Sequence, residues 1–119
     1  GERLIADQVI CADTQALRRR GLLGRQSLDP DEGVLLVIPP RPGLSLFHSI
    51  HMFGVPFELA VAWLDEKGTV LDVKHARPGR LYFPSGLFTR SRYILEVHPD
   101  HIPLMQESHR VRWREAAHE

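Results

Sequence analysis

The stretch from Phe57 to Asp65 constrains the fold most, because large and small apolar residues alternate along it. Side chains alternate between the two faces of a strand, so Ala60 and Ala62 share one face, where close packing is expected. A loop ending at Gly68 follows, and a glycine can adopt the positive φ that hairpin loops need. Thr69 to His75 is then the partner strand. The pattern predicts a hairpin whose first strand has its large residues on the other face: Phe57, Leu59, Val61 and Trp63.

Short apolar runs elsewhere predict more strands, and only one helix is clearly indicated. Residues 15–20 are good helix formers, with Asp13 or Thr14 as the cap and Gly21 as the stop. Residues 101–108 are compatible with a short helix interrupted by Pro103. The other predicted strands are Leu4–Ala12, Gly33–Ile38, Ser45–Met52, Arg92–His98 and His109–Arg114, with a long loop over residues 76–91. Residues 1–119 are therefore predicted to form one mainly β domain, an antiparallel sandwich or partly closed barrel with one short helix near the N-terminus.

Composition narrows the class of protein. The 119 residues carry 15 Lys plus Arg and 15 Asp plus Glu, a formal net charge of zero, which argues against a nucleic-acid binder. No apolar stretch approaches the ~20 residues that span a bilayer. The first three residues do not resemble a secretory signal, so a cytoplasmic location is the default, although a removed leader is compatible with the sequence.

Metal, covalent and acid–base chemistry each have a candidate in the sequence. His48 and His51 have a spacing that suggests a metal site, but residues three apart on a strand point to opposite faces, so no metal and no other cofactor is expected. Cys11, the only cysteine, is expected to be a small core residue rather than a nucleophile. Glu58 and Glu96 are conceivable paired carboxylates, although the sequence gives no separation between them. No catalytic set follows from these residues.

Arginines dominate the basic residues, and two groups of them stand out. Of the consecutive residues Arg18, Arg19 and Arg20, at least one must lie along the core or pair with an acid, because they fan around a helix. The second group lies in or beside loops stiffened by proline, where forked donors suit an anionic or sugar ligand. The predicted ligand-binding site is a polar cleft bordered by His51, Arg77, Arg80 and Arg92.

Several blocks together resemble the uncharacterised family of domains of unknown function numbered 192. The most specific block is Arg-Gly-Leu-Leu-Gly-Arg at residues 20–25, and matching segments occur in the family's order from about Val9 to Val97. They include Ala12-Asp13-Thr14, Glu32-Gly33-Val34-Leu35, Ser49 to Phe57, Trp63-Leu64-Asp65, Arg77-Pro78-Gly79 and Tyr93-Ile94-Leu95-Glu96. The resemblance implies a mostly β sandwich similar to a jelly roll, in a bacterial or archaeal protein. It implies no activity.

Two classes of function remain open. The first is a non-catalytic binding or accessory module for a small polar or anionic ligand, a glycan or a protein partner. The second is a hydrolase-like enzyme that uses His51 with a carboxylate or a metal. The binding module is favoured, because no set of nucleophile, base and orienting group can be assembled from the strand positions.

Overall fold

A computed structural model describes residues 4–22, 24–39, 43–107 and 109–114. Its centre is a five-stranded sheet with the strand order β1-β2-β9-β5-β6, and two small two-stranded ladders, β3–β8 and β4–β7, stand beside it. The strands are β1 (Gln8–Ala12), β2 (Glu32–Val37), β3 (Gly43–Leu44), β4 (Ile50–His51), β5 (Leu59–Leu64), β6 (Val70–Ala76), β7 (Leu81–Tyr82), β8 (Phe88–Thr89) and β9 (Tyr93–Val97). The helices are α1 (Gln15–Leu22) and α2 (Ile102–Glu107), with 3₁₀ turns at Ser45–His48 and Pro99–His101.

The sheet is mixed, which corrects the expectation of purely antiparallel strands. The pairs β2–β9, β5–β9 and β5–β6 are antiparallel, whereas β1 runs parallel to β2. A parallel pair needs a connection of a dozen or more residues, and the segment between Ala12 and Glu32, which contains α1, provides it. The sheet does not close into a barrel, since β1 and β6 are its two edges.

Both faces of the sheet are buried. The first face carries the large residues predicted for β5, including Trp63, and packs with Leu22 of α1 and with Ile50 and Met52 around β4. On the second face, Ala60 and Ala62 of β5 lie in one apolar cluster with Met105 of α2. The close packing expected at the two alanines is thus confirmed. The sequence predicts Leu17, Leu22 and Leu23 as the residues that anchor the short helix. Leu22 is buried, Leu17 is 39% exposed, and Leu23 lies outside the described residues.

The predicted hairpin is confirmed as β5–β6, with Leu59 opposite Ala76 at one end. Gly68 closes the loop with a φ of 82°. A Cβ added at this position would lie 2.2 Å from the carbonyl oxygen of Val111. The loop therefore requires glycine both for its backbone conformation and for the close passage of residue 111.

Several segments differ from their predicted structure. The segment Ser45–Met52 was predicted as one strand. It is instead the 3₁₀ turn Ser45–His48 followed by β4. Its backbone hydrogen bonds run to the long loop rather than to the five-stranded sheet, since Ser45 N–H donates to Leu87 O and Met52 N–H donates to Arg80 O. That loop, residues 76–91, is in turn not structureless, since it holds β7 and β8. Residues 109–114 make only an isolated bridge between Arg110 and Thr69 instead of a final strand.

The single expected helix is present, and a second one accompanies it. Thr14 caps α1, its Oγ1 accepting a hydrogen bond from Leu17 N–H at 3.1 Å. The second helix, α2, lies near the C-terminal end of the described chain, and the interruption expected at Pro103 does not occur, because a proline is tolerated in the first turn of a helix. No helix in the described ranges is long and apolar enough to cross a lipid bilayer.

Candidate functional site

Three of the four predicted ligand-binding residues lie around the β4–β7 ladder. His51 pairs with Leu81, and the backbone carbonyl of the preceding Arg80 accepts a hydrogen bond from Met52 N–H at 2.8 Å. Arg77 N–H donates to the hydroxyl of Tyr82 on β7 at 2.8 Å. The side chain of Arg77 also lies 3.6 Å from Glu58.

The fourth residue, Arg92, lies at the other end of the sheet. Its backbone N–H donates to Leu64 O at the far end of β5, whereas Arg77 follows Ala76, which pairs with Leu59 at the near end. Five residue steps of strand separate those two ends, or about 17 Å. The structure thus brings the backbones of His51, Arg77 and Arg80 together and leaves that of Arg92 apart.

His48 does not lie on a strand, so the predicted opposition of His48 and His51 across a strand is replaced by a different arrangement. His48 ends the 3₁₀ turn and is buried, with Nδ1 2.6 Å from the hydroxyl oxygen of Ser91. Its carbonyl accepts a hydrogen bond from Trp63 Nε1 at 2.8 Å. The ring of His51 stacks on Phe53 with a centroid distance of 5.2 Å. Among the residues that the structure describes, no three or more His, Cys, Asp or Glu are grouped so as to hold a metal ion.

Burial of His48 lowers the pKa of its imidazole, because the charged form loses its hydration. In the unfolded chain the pKa of this histidine is about 6.5. At a pH between the folded and the unfolded pKa, the unfolded chain therefore binds a proton at residue 48 that the folded protein does not bind. We therefore expect the free energy of unfolding to fall as the pH drops through about 6.5 and to level off below the folded pKa. Urea unfolding at a series of pH values measures it. His48→Gln should flatten this part of the profile, whereas the exposed control His109→Gln should keep it.

Two further candidates are placed differently from their predictions. Cys11, expected in the core, is exposed on the edge strand β1. Glu96, considered as half of a carboxylate pair with Glu58, is fully buried on the first face of the sheet and forms an ion pair with Arg18 of α1. Glu58 is exposed near His75 and Arg77. The two carboxylates therefore have unlike surroundings.

The Arg18–Glu96 pair joins three elements. Arg18 Nε and Nη2 each donate to one carboxylate oxygen of Glu96, the second bond measuring 2.6 Å. Arg18 Nη1 donates to the carbonyl of His51 at 3.2 Å, and Nη2 lies 3.8 Å from Met52 Sδ. The expectation that one of the three arginines pairs with an acid is thus confirmed. Glu96 itself was not identifiable as the partner, because nothing in the sequence links two residues 78 positions apart.

The most exposed apolar feature in the middle of the chain is a group of four side chains that we call the apolar tip: Leu46, Phe47, Leu87 and Phe88. They are 57%, 74%, 69% and 70% exposed, respectively. The 3₁₀ turn carries the first two, and β8 with the residue before it carries the others. The pairing of Leu44 with Phe88 and the bond from Ser45 N–H to Leu87 O at 2.8 Å hold the two segments together.

A cleft of about 410 Å³ adjoins the apolar tip through Phe88. On its wall, the Asp72 carboxylate accepts hydrogen bonds from the backbone N–H and the hydroxyl of Ser85, both at 2.8 Å. The cleft is lined by Leu71, Asp72, Pro84, Ser85, Phe88, Thr89 and Arg90. A second cleft, also of about 410 Å³, lies at β1. Neither cleft is lined by His51, Arg77, Arg80 or Arg92.

One of the two segments that contribute to the tip is basic, and the other has neither Lys nor Arg. No acidic residue occurs from position 43 to 57 or from 73 to 95, and the second segment contains Lys74, Arg77, Arg80, Arg90 and Arg92. The sequence did not reveal the tip, because residues 45–52 were predicted to form a strand. The available signal was the pair Leu87-Phe88, two large apolar residues directly after the turn residue Gly86.

The known proteins to which this chain is similar have no assigned function. The model of the DUF192 family, described as an uncharacterised ACR, matches residues 2–109. A UPF0127 protein of Thermococcus sibiricus is 38% identical over 90 residues, 76% of this chain and 54% of the relative. A UPF0127 protein of Thermococcus gammatolerans is 35% identical over 85 residues, 71% of this chain and 51% of the relative. The chain thus spans about half the length of these relatives.

A solved structure shows the same fold. The crystal structure of a protein of unknown function from Novosphingobium aromaticivorans superimposes with a TM-score of 0.67 at 19% identity, over 88% of this chain and 74% of that one. At this identity the likeness concerns the fold alone.

Proposed function

Because this chain belongs to the DUF192 family of uncharacterised proteins, we propose its function from its own surface: it is a non-catalytic module that binds a protein partner through the apolar tip. The observation that carries the proposal is the exposure of Leu46, Phe47, Leu87 and Phe88, each more than half accessible. Clustered exposed apolar side chains mark interaction sites far more often than single ones do.

The tip is ordered before it binds. Backbone bonds hold its two segments together, and the bonds of His48 to Ser91 and Trp63 anchor the 3₁₀ turn to the core. A surface held in this way loses little conformational entropy on association. Burying a large apolar side chain contributes about 1.5–3 kcal/mol, so Phe47 and Phe88 are the main expected contributors to affinity.

The charges around the tip favour an acidic partner segment. Arg90 lines the cleft next to Phe88, and no acidic residue occurs from position 73 to 95. The complementary ligand is a protein segment with apolar residues for the tip and a carboxylate that reaches Arg90. Complementary charge raises the association rate and the specificity of such an interface.

A protein partner fits this surface better than the other ligand classes do. Small ligands bind in concave sites that bury most of their surface, whereas the side chains of the tip are themselves exposed to solvent. A membrane surface is broad and needs no cleft, whereas a side chain of a protein segment can enter the cleft beside Arg90, where hydrogen bonds from Ser85 satisfy the Asp72 carboxylate.

The test uses a synthetic twelve-residue peptide that alternates leucine or phenylalanine with glutamate, and a matched peptide with lysine in place of glutamate. We expect the acidic peptide to bind, and Phe47→Ser and Phe88→Ser each to weaken binding about tenfold, as the loss of roughly 1.4 kcal/mol predicts. Arg90→Glu should weaken the acidic peptide and improve the lysine peptide. Isothermal titration calorimetry measures the affinities of the parent and the three variants for these peptides.

The control variant is Leu4→Ser, which removes another exposed leucine, 75% accessible, away from the tip. It should bind the acidic peptide like the parent. Equal loss in Leu4→Ser and Phe47→Ser would refute a specific role for the tip. Preferential binding to vesicles of phosphatidylserine and phosphatidylcholine, with no peptide binding, would show a membrane-directed surface instead.

A further inference from the structure

The edge strand β1 carries none of the features that normally protect a sheet edge. Its residues, Gln8 to Ala12, include no charge, proline or bulge, and four of the five are exposed. Within the described part of the chain, its only hydrogen-bonded neighbour in the sheet is β2. An exposed apolar edge is a template for another strand, and proteins usually block it with lysine, proline or a covering segment.

The register shows which backbone groups face outward. Gln8 N–H donates to Asp31 O at 2.9 Å and pairs with Glu32 in the parallel ladder. Backbone groups alternate in direction along a strand, so Ile10, like Gln8, faces β2. The N–H and C=O groups of Val9 and Cys11 therefore point away from the sheet, ready to pair with an added strand.

The side chains of β1 are apolar on both faces. Ile10, opposite Val34, lies on the first face of the sheet, and Val9 and Cys11 lie on the second. Val9 is 41% and Ile10 48% exposed. Strands that are apolar on both faces are typical of sheet interiors. The second cleft, of about 410 Å³, is lined by both of these residues and by Leu28, Arg25 and Glu32, so a groove with apolar and charged walls adjoins the β1–β2 pair.

We propose that β1 binds an extended segment of another protein as a sixth strand of the sheet, and that this segment is apolar with Lys or Arg at its ends. Asp7 and Asp13, both exposed, flank β1, and they provide the complementary charges. A second copy is the less suitable occupant. Two-fold pairing centred on Ile10 uses all the outward backbone groups, but it places Asp7 of one copy opposite Asp13 of the other.

This interaction goes beyond the one proposed for the apolar tip and involves none of its residues. The probe is a nine-residue peptide of alternating valine and threonine with two lysines at each end, and its control has glutamates in place of the lysines. We expect the lysine peptide to bind and to slow hydrogen exchange at the amides of Val9 and Cys11, measured by NMR. The tip variant Phe47→Ser should bind this peptide like the parent.

Two variants test the strand geometry. Val9→Pro removes one outward N–H and leaves the bonds to β2, so it should weaken peptide binding at least about tenfold. Val9→Lys keeps the backbone N–H and adds a charge that repels the lysine peptide, so it should also weaken peptide binding. It provides the test if Val9→Pro does not fold. Unchanged affinity in the folded variants, or protection at other amides, would overturn the proposal. So would equal binding of the glutamate peptide, or a concentration-dependent dimer that Val9→Lys dissociates, which would make a second copy the occupant.

Discussion

Arg18→Met is expected to lower the free energy of unfolding by about 3–5 kcal/mol, because it leaves the Glu96 carboxylate buried without its cation. Glu96 lies between Val34 of β2 and Val61 of β5, and neither Glu96 nor Arg18 reaches solvent. The substitution also removes the bond to the carbonyl of His51. Since small domains are stable by only about 5–15 kcal/mol, this variant should be close to unfolding at 37 °C. Urea unfolding followed by circular dichroism measures the loss.

The control is a double-mutant cycle. Glu96→Leu alone leaves the Arg18 cation buried without its partner and should lower the free energy of unfolding as much as Arg18→Met does. The double variant Arg18→Met/Glu96→Leu should lower it clearly less than either single variant. Arg25, whose ion pair with Glu32 is partly exposed, provides a comparison pair for which Arg25→Met should cost about 1 kcal/mol or less. Additive losses in the cycle would show that the two buried groups do not depend on each other.

Trp63→Ala by itself is expected to lower the free energy of unfolding by about 3–5 kcal/mol, the usual loss for a fully buried tryptophan. Trp63 lies at the centre of the first-face cluster and is inaccessible. Its indole also donates to the carbonyl of His48. Trp63→Ala therefore opens a cavity and leaves a buried carbonyl without its donor.

Trp63→Phe separates these two effects. It retains most of the apolar volume and removes the hydrogen bond, so it should cost about 1–3 kcal/mol. Because the 3₁₀ turn that carries Phe47 ends at His48, this variant should also speed hydrogen exchange in residues 45–48. Equal losses for Trp63→Phe and Trp63→Ala would mean that the hydrogen bond, not the packing, dominates. Unchanged exchange would show that the turn does not depend on Trp63.

The features that could be predicted from the sequence depend on interactions between residues close in the chain, and the features that could not depend on contacts between distant residues. The hairpin β5–β6 was predictable because alternation and a loop glycine are local, and α1 with its Thr14 cap for the same reason. The strand predicted at residues 45–52 was wrong because the segment is bonded to residues 80 and 87, which are distant in the sequence. Leu46 and Phe47 instead project into solvent, held by bonds to residues 87 and 91. Of the predicted ligand residues, His51, Arg77 and Arg80 meet through backbone pairing that spacing does not reveal.

By itself, the sequence determined a mainly β chain, a hairpin whose first strand is buried on both faces, a capped helix before the second strand, and the family. These depend on side-chain periodicity and turn chemistry, which act over a few residues. Only the tertiary structure decided the parallel pairing of β1, the partner of Arg18, the exposure of Cys11 and the assembly of the apolar tip from segments about 40 residues apart. Each of these features depends on which distant segments of the chain lie next to each other in the fold. Side-chain periodicity and turn residues do not carry that information.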